Sequence, residues 1–264
     1  MLFLYLKVLK DYWKSTMWFS LGMILLGIYV TTVWPSFEDS SEQIDQILEN
    51  FPDAITAFIG DTSMSTIEGF MNIEIFEFLA PIIIAVYAIT KGADSIAQEE
   101  ETHTLDQLLS LPISRISILL QKSFALITGI FVVCFSLWLG LQIGGIIMNY
   151  SIPQWNILSA IFSLYIFGIS MAFLSIFLSS STGKRGLSAG ISSAIILSSY
   201  LINSLGKIID SIEQVRFISI FYYYNGNSVI VNGIKSNHIL IMFCVSIIFL
   251  IVGILIFKRR DIRN

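Results

Sequence analysis

Six apolar runs separated by polar stretches order this chain: residues 16–34, 73–90, 116–148, 157–178, 187–205 and 238–257. Crossing the roughly 30 Å hydrocarbon core of a bilayer takes about 20 helical residues, and each run approaches or exceeds that length. The pattern predicts an all-α membrane protein with six transmembrane helices in a single domain over residues 1–264. An even number of crossings leaves both termini on one side. Pro81 falls inside the second run and predicts a kink that neighbouring helices absorb. Gly140 and Gly144 form a GxxxG pair in the third, which permits close helix approach. The fourth and fifth runs are dotted with Ser159, Ser163, Ser170, Ser175, Ser192, Ser193, Ser198, Ser199 and Asn203. Two readings fit them: hydrogen-bonded packing between helices, or a polar-lined path.

The stretches between the runs differ in kind. Over residues 1–15, Lys7, Lys10, Asp11 and Lys14 share one helical face, while Leu2, Leu6, Leu9 and Trp13 share the opposite one. That amphipathic pattern predicts an N-terminal interfacial helix, followed by a first span that ends at Pro35. No small-residue cleavage site follows that run, so no cleaved signal peptide is expected. An acidic external loop is predicted over residues 36–72. From there through the start of the second run come Glu38, Asp39, Glu42, Asp45, Glu49, Asp53, Asp61, Glu68, Glu74 and Glu77, with no Lys or Arg among them. It reads either as solvated surface or as a vestibule that concentrates cations or orders a partner. A second external loop over residues 206–237 carries the aromatic cluster FYYYNGN (221–227), suited to a membrane interface or a re-entrant element.

Composition agrees with the pattern. The chain is 55% hydrophobic and only 13% charged, against about 25% charged in soluble domains, and its mean hydropathy is +0.78. A water-soluble globule is excluded. With both ends inside, the basic residues divide sharply. Lys7, Lys10, Lys14, Lys91, Arg115, Lys122, Lys184, Arg185, Lys258, Arg259, Arg260 and Arg263 lie inside, and only Lys207, Arg216 and Lys235 outside. Such a bias places the termini in the cytoplasm. Cys134 and Cys244 lie in apolar runs, as small buried hydrophobes rather than a disulfide framework.

Between the second and third runs stands EEETHTLDQLLSLPISR, residues 99–115, within a polar segment predicted over 98–115. Thr104 and Gln107 have the capping-box spacing. Leu105, Leu108 and Leu109 follow as a short apolar face, Pro112 closes the helix, and Ser114 is placed to cap the next one. A short helix joined this tightly to two spans suits docking to a cytoplasmic partner; an interfacial elbow that only reverses the chain fits the same geometry.

This string resembles the cytoplasmic signature of type-2 ABC transporter permeases, an acid-rich start, then Gly-Thr-Leu-acid-x-Leu-Leu, then x-Pro-Ile/Val-Ser-Arg. Glu99, Glu100, Thr104, Leu105, Asp106, Leu108, Leu109, Pro112, Ser114 and Arg115 match it, while His103 stands where that family commonly has Gly. The resemblance implies the membrane-spanning subunit of an exporter. In that arrangement the 98–115 segment is a coupling helix that docks on a separate ABC ATPase subunit, two copies per complex. The partner permease would be a second copy or a close homologue, in the plasma membrane. ATP and magnesium would sit on the ATPase, leaving no cofactor in this chain. The alternative from another class is a non-transporting anchor or sensor module of a membrane complex.

Chemistry of its own is not predicted for the chain. It has no HExxH, and a serine without a base is not a nucleophile. His103 and His238 fall on opposite sides of the membrane, so no shared metal is expected. TGKR (182–185) lacks the first glycine and the Ser/Thr of a phosphate-binding loop, where Leu178 and Arg185 stand instead. No nucleic-acid contact is expected, only lipid. For a translocation path the candidates are Asn203 and the pair Glu74 and Glu77, spaced to share a helical face near the outer end of span two. Solvated residues at the outer interface are the other reading of that pair.

The topology is open to direct test. Cysteines at Ser41 and Asn225 should react with an impermeant maleimide on intact cells, and a cysteine at Thr102 only after lysis. Labelling of Thr102→Cys in intact cells would overturn the arrangement.

Overall fold

The computed structural model describes residues 3–38, 66–110, 112–150, 152–225 and 228–260. In chain order its helices are α1 (Phe3–Glu38), α2 (Ile67–Glu101), α3 (Leu105–Leu109), α4 (Arg115–Met148), α5 (Gln154–Thr182), α6 (Arg185–Leu205), α7 (Asp210–Glu213), α8 (Ile220–Asn225), α9 (Val229–Asn232) and α10 (Ser236–Arg259). Six of them, α1, α2, α4, α5, α6 and α10, are long and apolar enough to cross a membrane, as the hydropathy pattern predicts. The acidic stretch between residues 39 and 65 lies outside the described residues.

α5 is the most buried span and forms the axis of the bundle, while α1, α6 and α10 stand at the periphery. α2, α4 and α10 pack around α5, and α1 packs along α4. The serines of α5 serve this packing. Ser175 donates to the Ile89 carbonyl of α2 (2.9 Å) and Ser179 to that of Ala93 (2.8 Å). Ser170 meets Ser246 of α10 at 2.6 Å, and Ser163 donates to the Tyr224 carbonyl at 2.8 Å. In a medium without water, hydroxyls that find carbonyls across a helix interface hold it together. For α5 the packing reading therefore stands over the polar path.

The N-terminal segment corrects one expectation. It is no separate helix: α1 runs unbroken from Phe3 through Pro35 to Glu38, about 54 Å at 1.5 Å per residue. The first turns are tied to the bundle by a third face that the two-faced pattern does not show, formed by Leu4, Val8, Tyr12 and Thr16. Tyr12 donates to the Lys91 carbonyl, and Thr16 bonds the Tyr87 hydroxyl at 2.8 Å. Leu6 and Trp13 remain exposed, as do the lysines of the polar face.

The second span also departs from a simple helix. Residues Asn72–Leu79 are wound as a π-helix ahead of Ala80–Glu101. Pro81 has no N–H for an i→i−4 bond, and just before it Ala80 reaches back five residues to the Ile75 carbonyl. The expected kink is thus taken up as a widened turn. Beyond α6, the predicted external loop is built of short helices. Tyr224, only 1% exposed, packs on Phe167 with ring centroids 4.8 Å apart and donates to the Phe76 carbonyl at 2.9 Å. Of the aromatic cluster, Phe221 and Tyr224 are inserted into the bundle, while Tyr222 and Tyr223 are half-buried at its surface.

α1 and α4 cross at the GxxxG site. A Cβ on Gly140 would fall on the Ile24 backbone and one on Gly144 on the Thr31 hydroxyl, while Gly27 on the facing helix lies against Leu141. Gly140→Leu should therefore lower the melting temperature in detergent by the equivalent of about 1–3 kcal/mol, whereas Gly22→Leu, which faces open space, should not. Equal melting of the two variants would remove the crossing as a stabilising contact.

Candidate functional site

Both ends of the chain, the α2–α3–α4 connection and the α5–α6 turn meet at one end of the bundle, where the charges of the signature segment are gathered. α2 ends at Glu101. The Thr104 N–H then returns to the Glu99 carbonyl (2.9 Å) and that of His103 to Glu100 (3.1 Å), the paired bonds of a Schellman turn. His103 sits at its left-handed position with φ +56, the conformation glycine adopts most easily. The substitution at this position thus leaves the turn intact, at a cost of about 1–2 kcal/mol for a residue with a Cβ.

This turn overrules the predicted capping box. Thr104 has a helical backbone (ψ −8) and makes no side-chain cap; its hydroxyl meets that of Thr102 at 2.9 Å instead. Ser114 does cap α4, accepting from the Ser117 N–H at 3.2 Å. The apolar face of α3 points into the bundle. Leu105 is 2% and Leu108 8% exposed, and both join the chain's own core with Leu109 packed against it. A five-residue helix that follows a tight turn at the foot of the bundle turns its leucines toward the apolar surface nearest to it. What α3 presents outward is polar: Thr102, His103, Thr104, Asp106, Gln107 and Ser110, with Pro112 following.

The three consecutive glutamates reach three different helices. Successive residues of a helix point about 100° apart, so adjacent side chains leave α2 in diverging directions. Glu99 pairs at 2.7 Å with Lys122 of α4, a buried ammonium that also donates to the Ser95 carbonyl. Glu100 pairs with Arg260 at the end of α10, and Arg260 donates in turn to the Ser180 carbonyl of α5 at 2.9 Å. Glu101 accepts from the Arg185 N–H, the first residue of α6, at 2.8 Å. One turn up α2, Asp94 pairs with the Arg185 side chain and lies 4.0 Å from Lys91. Arg115 closes the ring, donating to the Phe257 (3.1 Å) and Arg260 (2.8 Å) carbonyls of α10. Gly183, at φ +63, leaves the space that Glu100 and Arg260 occupy.

Of the predicted partner residues, the structure thus brings Glu99, Glu100 and Arg115 into an internal clasp and leaves Thr104 and Asp106 at the surface. Sequence reasoning missed Asp94, Lys122, Arg185 and Arg260 as parts of it. Lys122 carries the one signal available, a charge set well inside an apolar run.

The predicted path residues fare differently. Glu74 and Glu77 lie on the π-wound stretch rather than on a regular α-helix, and Glu77 pairs with Lys207 at 3.5 Å. Glu77 lines a groove of about 380 Å³ between α2 and α6. Asn203 is buried on α6 with an Oδ1 that accepts no hydrogen bond, and it is not part of the groove wall. Among the described residues no group of His, Cys, Asp or Glu could hold a metal ion.

The fold is a six-helix membrane bundle with a charged clasp at one end. Residues 4–262 match the family model of ABC-2 family transporter proteins, so the chain belongs to that family: it is a multi-pass membrane permease component of an ABC transporter. Membership implies an ABC ATPase partner and usually a dimeric arrangement. No curated protein matches the sequence.

The clasp predicts a characteristic energetic coupling. Glu99→Gln should destabilise the protein by about 3 kcal/mol, because it strands the Lys122 charge in a buried site. Adding Lys122→Met should restore most of that loss. Detergent melting of the four-member cycle measures it, and additive losses would show that the two groups are independent.

Proposed function

We propose that this chain is the transmembrane subunit of an ATP-driven exporter, powered by a separate ATPase that binds the end of the bundle carrying the clasp. That end is read as cytoplasmic, with the complex in the plasma membrane, because its basic residues dominate. ATP and magnesium belong to the ATPase, of which two copies serve two permease subunits, this chain paired with itself or a homologue. The observation that carries the reading is the triple bridging by Glu99, Glu100 and Glu101. A push on the α2–α3 turn acts at once on α4, α10 and α6, so a partner moving that turn moves most of the bundle.

On this reading the ATPase grips α3 by its polar edge, Thr104, Asp106 and Gln107, since Leu105 and Leu108 are spent inside the chain. Asp106→Lys with Gln107→Glu should release the ATPase from detergent-solubilised complexes while leaving permease melting unchanged. Leu105→Asp should instead lower the melting temperature first. Undiminished co-purification of the ATPase with the Asp106/Gln107 variant would overturn the docking assignment.

A further inference from the structure

The face of the bundle formed by α4 and α5 carries a second groove, which neither the clasp nor the packing of the α5 serines uses. It is about 480 Å³ in volume, with Phe131, Phe135 and Trp138 of α4 on one wall and Trp155, Phe162 and Tyr165 of α5 on the other. Phe131, Phe135, Trp155 and Phe162 are exposed, so the groove opens outward from the bundle. Its rings brace one another. Phe135 stacks on Phe131 and on Trp138, with centroids 6.0 and 5.2 Å apart, and Phe131 meets Tyr165 of the other wall edge to face at 6.0 Å. No charged side chain is among the lining residues. Two polar groups in these walls are left over. Ser159 is only 7% exposed, yet its hydroxyl takes no part in the hydrogen bonds that the other α5 serines make. The Trp138 indole N–H is likewise buried with no partner. α4 and α5 run antiparallel, and Phe131 touches Tyr165. About two turns along α4 and two turns back along α5 from that contact, Trp138 and Ser159 stand at one level of the groove.

We propose that this groove binds a neutral fused-ring aromatic alcohol, its rings among those of α4 and α5 and its hydroxyl between Trp138 and Ser159. The volume falls within the roughly 300–1,000 Å³ of small-molecule sites. Aromatic rings that meet edge to face or offset gain more than the area they bury, so these walls favour an aromatic body over the alkyl chains of lipid. A flexible chain also loses rotational freedom on being held, and fused rings have none to lose. With no charge in the lining, an ionised ligand would enter unpaired, so the ligand is neutral. The hydroxyl follows from the two groups left over. A buried polar group without a partner is a cost to the fold, and one hydroxyl placed between them satisfies both, accepting from the indole N–H and sharing a hydrogen bond with Ser159. The inference does not rest on the transport reading, because it requires binding and not movement of the ligand.

The test is photolabelling of the full chain in amphipol with diazirine-bearing 2-phenanthrol, phenanthrene and perhydro-2-phenanthrol, with labelled peptides mapped and scaled to the labelling of α1 and α10 in the same sample. Phenanthrol should label α4 and α5 about tenfold more efficiently than its perhydro counterpart, which keeps the skeleton and the hydroxyl but has no aromatic ring. Ser159→Ala and Trp138→Phe, which leave the rows of rings complete, should each lower phenanthrol labelling about three- to tenfold. Phenanthrene, which lacks the hydroxyl, should label both variants as it labels the parent. Leu158→Trp, at an exposed lining position, should block both aromatic probes without changing the melting temperature. Equal labelling by phenanthrol and its perhydro counterpart, equal losses for phenanthrol and phenanthrene in Ser159→Ala, or labelling that survives Leu158→Trp would reduce the groove to ordinary lipid contact and overturn the proposal. So would a disulfide between two chains at Leu158→Cys in a Cys244→Ser background, which would show that a second copy covers the groove. None of these readouts involves the ATPase, so their failure leaves the transporter reading standing.

Discussion

Lys122 must be neutralised where it lies, and the bundle is built around that demand. An ammonium set among packed helices is costly unless a carboxylate and a carbonyl meet it; Glu99 and Ser95 of α2 do so. That requirement sets α2 against α4 in depth and rotation. Once α2 is so placed, the next two residues have no freedom left: Glu100 faces the end of α10 and Glu101 the start of α6. Arg260 then extends the contact to the last turn of α5. Four helix ends are located by one charged helix terminus.

The two ends of the bundle differ in mechanical character as a result. The charged end is cross-braced and its turns are tight, with His103 and Gly183 both in left-handed conformations that permit the reversals. Toward the other end, α2 is wound as a π-helix and α6 stands away from it across a groove. π segments store an extra residue in a turn and are frequent where helices adjust. Cross-bracing is thus confined to the charged end of α2, while the π winding and the groove lie toward its other end.

Much of this was legible in one dimension. Hydropathy reports the free energy of each residue in lipid, a property of that residue and its near neighbours, so six spans and their order follow without knowledge of packing. Both termini at one end follow from the count. The Ser114 cap is local hydrogen-bond chemistry, readable over four residues, whereas the capping box expected at Thr104 gave way to a Schellman turn. The motif around Leu105 identified the family because such strings are rare.

What periodicity could not supply is which face meets which neighbour. Leu105 and Leu108 form an apolar face in the sequence, but only the foot of the folded bundle decides that this face turns inward and leaves Asp106 and Gln107 outside. Glu74 and Glu77 share a face on an ideal α-helix; the chain is π-wound there, and Lys207, 130 residues away, is a partner of Glu77. Glu100 finds Arg260 across 160 residues. Charge pairing is a two-body interaction whose partner is chosen by the packing of whole helices, so the sequence alone determined the spans, their order and the family, and tertiary structure alone decided the clasp, the groove and the surface left free.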